Sequence, residues 1–137
     1  MPRALLAVPL VLAALAAGCA GSPSSAGDFQ GEEKRVAEVV EKLQSAGETG
    51  DAAEICDEVL AKQLRDQIQE AGSSCEQELD KAIKDADDFD VDVENVTIDG
   101  NQATAKVKGR DRGEDRVREF EFVREGRDWR ATSLGSP

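Results

Sequence analysis

The sequence predicts an α+β fold in which N-terminal helices pack on an antiparallel β-meander. From residue 36 to residue 86 the apolar side chains recur every three or four positions, which is the period of an amphipathic helix. From residue 89 onward they alternate with charged side chains, which is the period of a half-buried strand. The predicted helices all precede the predicted strands, and this order favours an antiparallel sheet over a parallel βαβ sheet.

Residues 1–18 are predicted to be a signal peptide that precedes the fold. Arg3 is the only charged residue before Asp28, and the stretch from Ala4 to Ala17 is apolar throughout. Its 14 residues fall short of the roughly 20 that a membrane-spanning helix needs. A secretory signal has an apolar stretch of this length with a positive charge before it.

The end of this apolar run resembles the lipobox of bacterial lipoproteins, in the residues Leu15-Ala16-Ala17-Gly18-Cys19. In that family the cysteine sulfur receives a diacylglyceryl group, and the signal peptide is cleaved just before the cysteine. The resemblance implies that Cys19 is the lipid attachment site and that the protein is anchored to the extracytoplasmic face of a bacterial membrane, in the cell envelope. An ordinary secretory signal followed by an incidental cysteine is the alternative.

The chain after the signal peptide is predicted to have two parts. Residues 19–30 form the lipidated cysteine and a flexible tether, because residues 20–27 are small, polar or turn-forming. A flexible stretch of eight residues spans roughly 15 Å, which lifts a domain off the lipid headgroups. Residues 31–135 form a single α+β domain.

The first predicted helix begins near Glu32 and Glu33, because acidic side chains suit a helix N-terminus. Gly47 is expected to end it. Asp51, with Glu54 three residues later, resembles the capping box that opens a helix. The apolar face of the first helix comprises Val36, Val39, Val40 and Leu43.

The cysteines indicate how the later helices are arranged. With Cys19 acylated, Cys56 and Cys75 remain, and an even remainder in an exported chain indicates a disulfide. Two buried free thiols are the alternative. A straight helix over residues 52–70 would hold the two sulfurs apart, since disulfide partners need Cα atoms within about 7 Å. We therefore expect one helix that ends near Glu58, a second from about Lys62 to Glu70, and a third that begins near Cys75.

The strands follow from alternation and turn residues. The apolar parity changes between Val93 and Val96, which predicts a β-bulge at Glu94-Asn95. Asp99-Gly100 predicts a hairpin turn before the second strand. A charged loop is expected over residues 109–115, and Glu125-Gly126 predicts a turn before the last short strand. The apolar positions of the last three strands are Ala103, Ala105, Val107, Val117, Phe120, Phe122, Trp129 and Ala131.

This organisation resembles small envelope lipoproteins with a nuclear transport factor two-like, or cystatin-like, cone. The resemblance covers roughly residues 32–134 and consists of hydrophobic positions, turns and two cysteines. It implies a sheet that curls around a pocket closed by helices. Some members of that superfamily are enzymes, some bind small molecules and many mediate assembly, so the resemblance does not assign a function. The residues that carry it are Gly50-Asp51-Ala52-Ala53, Cys56, Cys75, Val96, Ile98, Gly100, Ala103, Ala105, Phe122-Val123-Arg124-Glu125 and Trp129.

Composition excludes several function classes. The formal net charge of −12 argues against a nucleic-acid partner, because phosphate binding needs a surplus of Lys and Arg. The chain has no His and no Tyr, so the commonest general base and the commonest nitrogen ligand of metals are missing. Asp88, Asp90 and Asp92 have the spacing of a calcium loop, but Val93 stands where that loop needs glycine. We expect no catalytic residues, no metal site and no cofactor.

Two hypotheses for the function remain. The leading one is a lipid-anchored, non-enzymatic domain that binds a protein partner or a small ligand at the cell envelope. The alternative is a small-molecule carrier or a small enzyme with an open cone pocket. It would need a deep pocket that has buried carboxylates in it or has Arg124 and Arg130 pointing inward. The two hypotheses differ in whether the aromatic side chains line a pocket or fill the core, and these are Phe89, Phe120, Phe122 and Trp129.

Basic side chains cluster between residues 106 and 118, whereas the preceding chain is strongly acidic. One interpretation is a contact with a partner or with lipid headgroups at the tip of this hairpin, which would place the hairpin nearer the membrane than the helices. The simpler interpretation is a solvated hairpin whose charges are neutralised locally by Asp111, Glu114 and Asp115.

Overall fold

The computed structural model describes residues 26–135, so the predicted signal peptide and Cys19 lie outside the described residues. A single 3-10 turn at Ala26–Asp28 precedes the helices α1 (Gly31–Thr49), α2 (Ala52–Glu54), α3 (Lys62–Glu70) and α4 (Cys75–Asp85). The strands are β1 (Val91–Asp99), β2 (Gln102–Asp111), β3 (Glu114–Glu125) and β4 (Asp128–Ser133).

The four strands form one antiparallel sheet in the order β1-β2-β3-β4, and the helices pack on one of its faces. The predicted α+β fold, with helices on a curved meander, is therefore confirmed. Two bulges interrupt the ladders, one of them between Val93 and Asn95 where the parity change predicts it. The bulge lets Val93 and Val96 both face the core.

The prediction that Gly47 ends the first helix is wrong. Helix α1 continues to Thr49 and ends at Gly50, whose φ of 74° is the left-handed conformation that suits a helix C-terminus. Gly47 is buried inside the helix because the ring of Phe89 packs against it. A Cβ at position 47 would lie 2.3 Å from Cδ1 of Phe89, so glycine is required here for close approach.

The predicted break in the middle helices is confirmed. Helix α2 continues into a π-helical turn at Ile55–Val59, and Leu60 is extended, with φ −80° and ψ 138°. Leu60 bridges to Ala131, and the Ala61 N–H donates to the Ala131 carbonyl at 2.8 Å. The extended residues therefore pair with the outer edge of β4 before α3 begins.

The charged loop predicted over residues 109–115 is shorter than expected. Strand β2 runs to Asp111 and β3 begins at Glu114, so only Arg112 and Gly113 form the turn, both with positive φ. Val117 is 56% exposed, because it lies on the opposite face of β3 from the buried Phe120. The prediction that Val117 lies on the third strand is confirmed.

Candidate functional site

The two cysteines of the domain are joined. Cys56, in the π-helical turn, forms a disulfide with Cys75 at the start of α4, with the Cα atoms 6.1 Å apart. This supports the predicted bond over the alternative of two free thiols. A surface groove of about 730 Å³ lies beside the disulfide, and the charged side chains that line it carry both signs, namely Asp57, Lys62, Arg65, Asp66 and Glu76.

Three of the four predicted aromatic residues are buried in the apolar interior. Phe120, Phe122 and Trp129 are 7%, 2% and 2% exposed and belong to the same apolar core as Val36 and Leu60. Phe89 lies apart from them, half-buried against Gly47. Among residues 26–135, no polar or charged residue is buried.

A polar cluster ties the start of α1 to the β3–β4 hairpin. One carboxylate oxygen of Glu32 accepts from Arg124 Nη2 at 2.8 Å and from Trp129 Nε1 at 2.7 Å. The Arg124 guanidinium also lies over the Trp129 ring, 4.8 Å from its centroid. The hydrogen bond from Trp129, followed by the charges of Arg124 and Arg35, lowers the pKa of Glu32.

Sequence reasoning missed this cluster, because its members are 92 and 97 residues apart and no local motif links them. It considered Arg124 only as a pocket residue, together with Arg130. Arg130 donates to the Asp57 carbonyl at 2.6 Å and lines a shallow groove of about 470 Å³ beside α1. Both arginines therefore hold elements of the fold together at the rim of the sheet.

A third groove, of about 300 Å³, opens where the helices stop covering the sheet. Its floor is apolar and includes Val91, Val107 and Phe120. Carboxylates of the segment between α4 and β1 form one wall, and the opposite wall is the end of the β2–β3 hairpin. The charged residues of the two walls are Asp85, Asp87, Asp88, Asp90, Arg110, Asp111, Arg112, Arg116 and Arg118.

Several charges of the β2–β3 hairpin are paired within the hairpin. Arg116 and Arg118 lie 3.6 Å and 3.4 Å from one carboxylate oxygen of Asp111, on the inner face of the sheet. On the outer face, Lys108 lies 3.1 Å from Asp115, which raises the pKa of the lysine. Local neutralisation by acidic neighbours is therefore present, as the simpler interpretation of the hairpin expects.

Two cations of this hairpin form no ion pair within the described part of the chain. They are Arg112, at the turn, and Lys106, whose neighbour across the β2–β3 ladder is Glu119. Both side chains belong to exposed residues. The hairpin therefore exposes two basic side chains that take part in no ion pair of the described structure.

Between residues 26 and 135, no helix has the length and apolar character needed to cross a bilayer. Over the same range, the acidic side chains and cysteines form no cluster that could hold a metal ion. The described surface therefore offers grooves and charged faces as candidate sites.

The chain has a weak likeness to a solved structure and no match to a family model or a curated protein. No protein-family model matches the chain, and no curated protein matches it. Among solved structures, the chain is similar to the de novo designed NTF2 fold protein NT-9, at 16% sequence identity and a TM-score of 0.47. The alignment covers 85% of this chain and 90% of that one. A likeness of this size carries no argument about function, and the α+β assignment rests on the described elements themselves.

Proposed function

We propose that this protein is a lipid-anchored, non-enzymatic binding domain of the bacterial cell envelope, which engages its partner through its outer surface. The observation that carries this proposal is the filled interior. The space between the sheet and the helices is occupied by apolar side chains, and at its rim Glu32 accepts hydrogen bonds from Arg124 and Trp129. A domain of this kind presents its chemistry on exposed faces.

The anchor and the compartment rest on separate observations. The apolar run before Cys19 supports export and acylation of that cysteine. The disulfide between Cys56 and Cys75 supports an oxidising compartment, since such bonds are rare in the cytosol. Two acyl chains on Cys19 would hold the domain at the membrane stably, whereas a single chain binds only marginally.

The test is the intact mass of the full chain extracted from its own membranes in mild detergent, without reduction. The proposal expects a chain that begins at Cys19, carries a diacylglyceryl group and lacks two hydrogens because of the disulfide. The matched control is Cys19→Ser, which should lose the added mass and leave the membrane fraction while keeping the disulfide. An unmodified chain cleaved elsewhere would contradict the anchor.

The second candidate is a small-molecule carrier, or a small enzyme, that uses an open pocket. The groove of about 300 Å³ above Phe120 favours it, because this volume lies at the lower end of ligand-binding pockets. A native mass of the same preparation separates the two candidates. A stoichiometric small molecule that survives transfer to the gas phase would support the carrier and contradict binding through the outer surface alone.

A further inference from the structure

We propose that the basic hairpin, residues 106–118, is a second membrane contact that docks on anionic lipid headgroups and turns the acidic helices away from the bilayer. This inference rests on the proposed lipid anchor, which brings the domain to a membrane. It concerns the orientation of the domain, which the anchor alone does not determine, because a flexible tether allows many orientations.

The first support is the distribution of charge. Six of the 17 basic side chains of the protein lie in the basic hairpin, but only three of its 29 acidic side chains do. The basic hairpin is thus net positive within a chain of net charge −12. An anionic surface attracts the hairpin and repels the rest of the domain, within a Debye length of about 8 Å at physiological salt. An orientation with the hairpin toward the membrane satisfies both effects.

The second support is the shape of the sheet. Strand β1 pairs with β2 only as far as Gly109, and β4 pairs with β3 only from Glu121 onward. The end of the β2–β3 ladder has therefore no further strand on either side, and it projects beyond the sheet. Asp85, Asp87, Asp88 and Asp90 line the groove on the inner side of this end, so a flat surface would be met by the outer face of the hairpin.

The third support is the exposed surface of the hairpin itself. Val117 is the only large apolar side chain among residues 26–135 that is exposed, and it lies directly across the ladder from Lys108. Arg112 and Lys106 form no ion pair in the described structure, so both are available to phosphate groups. Guanidinium and ammonium groups beside an exposed aliphatic side chain match the phosphates and the acyl boundary of a lipid surface.

The experiment uses the full acylated chain with a single reporter thiol, Val117→Cys, labelled with a polarity-sensitive fluorophore. No other thiol should react with the fluorophore. Cys56 and Cys75 form a disulfide, and the proposed anchor acylates Cys19. The protein is reconstituted into vesicles of phosphatidylcholine alone, or of phosphatidylcholine with phosphatidylglycerol. We expect a blue shift and reduced quenching by acrylamide only with the anionic lipid, both reversed by high salt. A label at Ala82→Cys, on the exposed face of α4, should not respond.

Charge variants make the test specific. Lys106→Gln with Arg112→Gln removes the two unpaired cations and should lower the contact equilibrium by roughly 25-fold, at about fivefold for each basic residue near an anionic surface. The matched control, Lys34→Gln with Lys81→Gln, makes the same change in net charge outside the hairpin. It should leave the response of residue 117 intact.

The outcomes separate this inference from the proposed anchor. Vesicle flotation on neutral lipid reports the anchor, whereas the fluorophore reports the hairpin. Flotation without an anionic-specific response at residue 117 would overturn the inference and leave the anchor standing. Protection of the label in native membranes but not in protein-free anionic vesicles would also overturn it, because the hairpin would then bind a protein. Failure to float would contradict the anchor itself.

Discussion

The two ends of the β2–β3 ladder share the same strands but differ in what covers them. At the covered end, Ala103 faces Phe122 and Ala105 faces Phe120, and all four side chains are buried beneath the helices. At the projecting end, the same inner face carries charged residues, with Asp111 across from Glu114. Side chains alternate between the two faces of β2 and β3 along the whole ladder. The alternation therefore shows which side chains face inward, but it does not show which of these are apolar.

The apolar core ends where the helices no longer pack on the sheet, although the strands themselves continue. Val107 and Arg118 are neighbours at the transition, with Val107 buried and Arg118 half-buried. Beyond this pair, the inward side chains of β3 are no longer covered by the helices and contact water. A charged side chain such as Arg116 suits such a position. The projecting end is therefore free to carry function, while the covered end carries stability.

The largest expected effect tests this division on one strand. Phe122→Ala should lower the free energy of unfolding by about 3–5 kcal/mol, because it removes a buried ring and leaves a cavity. Val117→Thr, five residues earlier in β3, keeps the β-branched shape and should change stability by less than about 0.5 kcal/mol. Urea unfolding followed by circular dichroism measures both. Comparable losses for the two variants would contradict the proposed division of β3.

The outer helices are expected to depend on the disulfide. Within α3 and α4 no residue is fully buried, and Leu79 and Ile83 are only half-buried against the core. Because the bond closes a loop with a sequence separation of 19, Cys56→Ala with Cys75→Ala should cost about 3 kcal/mol.

Hydrogen exchange should then locate this loss in the outer helices. Protection of the α4 amides should fall further than protection of α1, whose Val36 and Val40 are buried. Reduction of the wild-type protein serves as the matched control and should reproduce the pattern. An equal loss across both helices would mean that the outer helices unfold only with the whole domain.

Helix propensity and the contact with Phe89 predict opposite effects of Gly47→Ala on stability. Helix propensity alone would make the variant about 1 kcal/mol more stable. The close approach of Phe89 predicts a loss of about 1–3 kcal/mol, because the new methyl group forces the ring or the helix to move. Thermal unfolding gives the sign, and Phe89→Leu in the same background should restore part of the loss. A stabilised single variant would show that the contact is not restrictive.

The sequence predicts local features of this fold well. The bulge near Glu94, the cap at Asp51 and the break before Lys62 each depend on neighbouring residues or on the reach of one disulfide. Features set by distant contacts were missed or misplaced. Gly47 has the appearance of a helix end, and only the position of Phe89, 42 residues later, shows why glycine lies inside the helix.

The candidate site also has features that the sequence predicts and features that depend on distant contacts. The positive charge of residues 106–118 can be counted in the sequence, but the projection of the hairpin depends on where β1 and β4 stop pairing. The exposure of Val117 likewise follows from the register of β3 against β2. The hydrogen bonds from Trp129 and Arg124 to Glu32 join residues that no local pattern relates. Such contacts require the assembled sheet.

The smallest expected effect on stability concerns the ion pairs of two arginines on the inner face of β3. Arg124 pairs with Glu32 of a helix, whereas Arg118 pairs with Asp111 of its own hairpin. Glu32→Gln should lower the midpoint of thermal unfolding by a few degrees near neutral pH, because it weakens a bond between separate elements. Asp111→Asn should change it less, since its contacts remain within the hairpin.

The pH dependence gives the Glu32 prediction its sign. The folded pKa of Glu32 lies below its ordinary value of 4.5, so its contribution to stability is present above pH 4.5 and is lost as pH falls through the folded value. The melting difference between wild type and Glu32→Gln should therefore be largest near neutral pH and shrink on acidification. A difference that stays constant across this range would mean that the charge of Glu32 does not hold α1 to the sheet, and that packing around Trp129 alone does so.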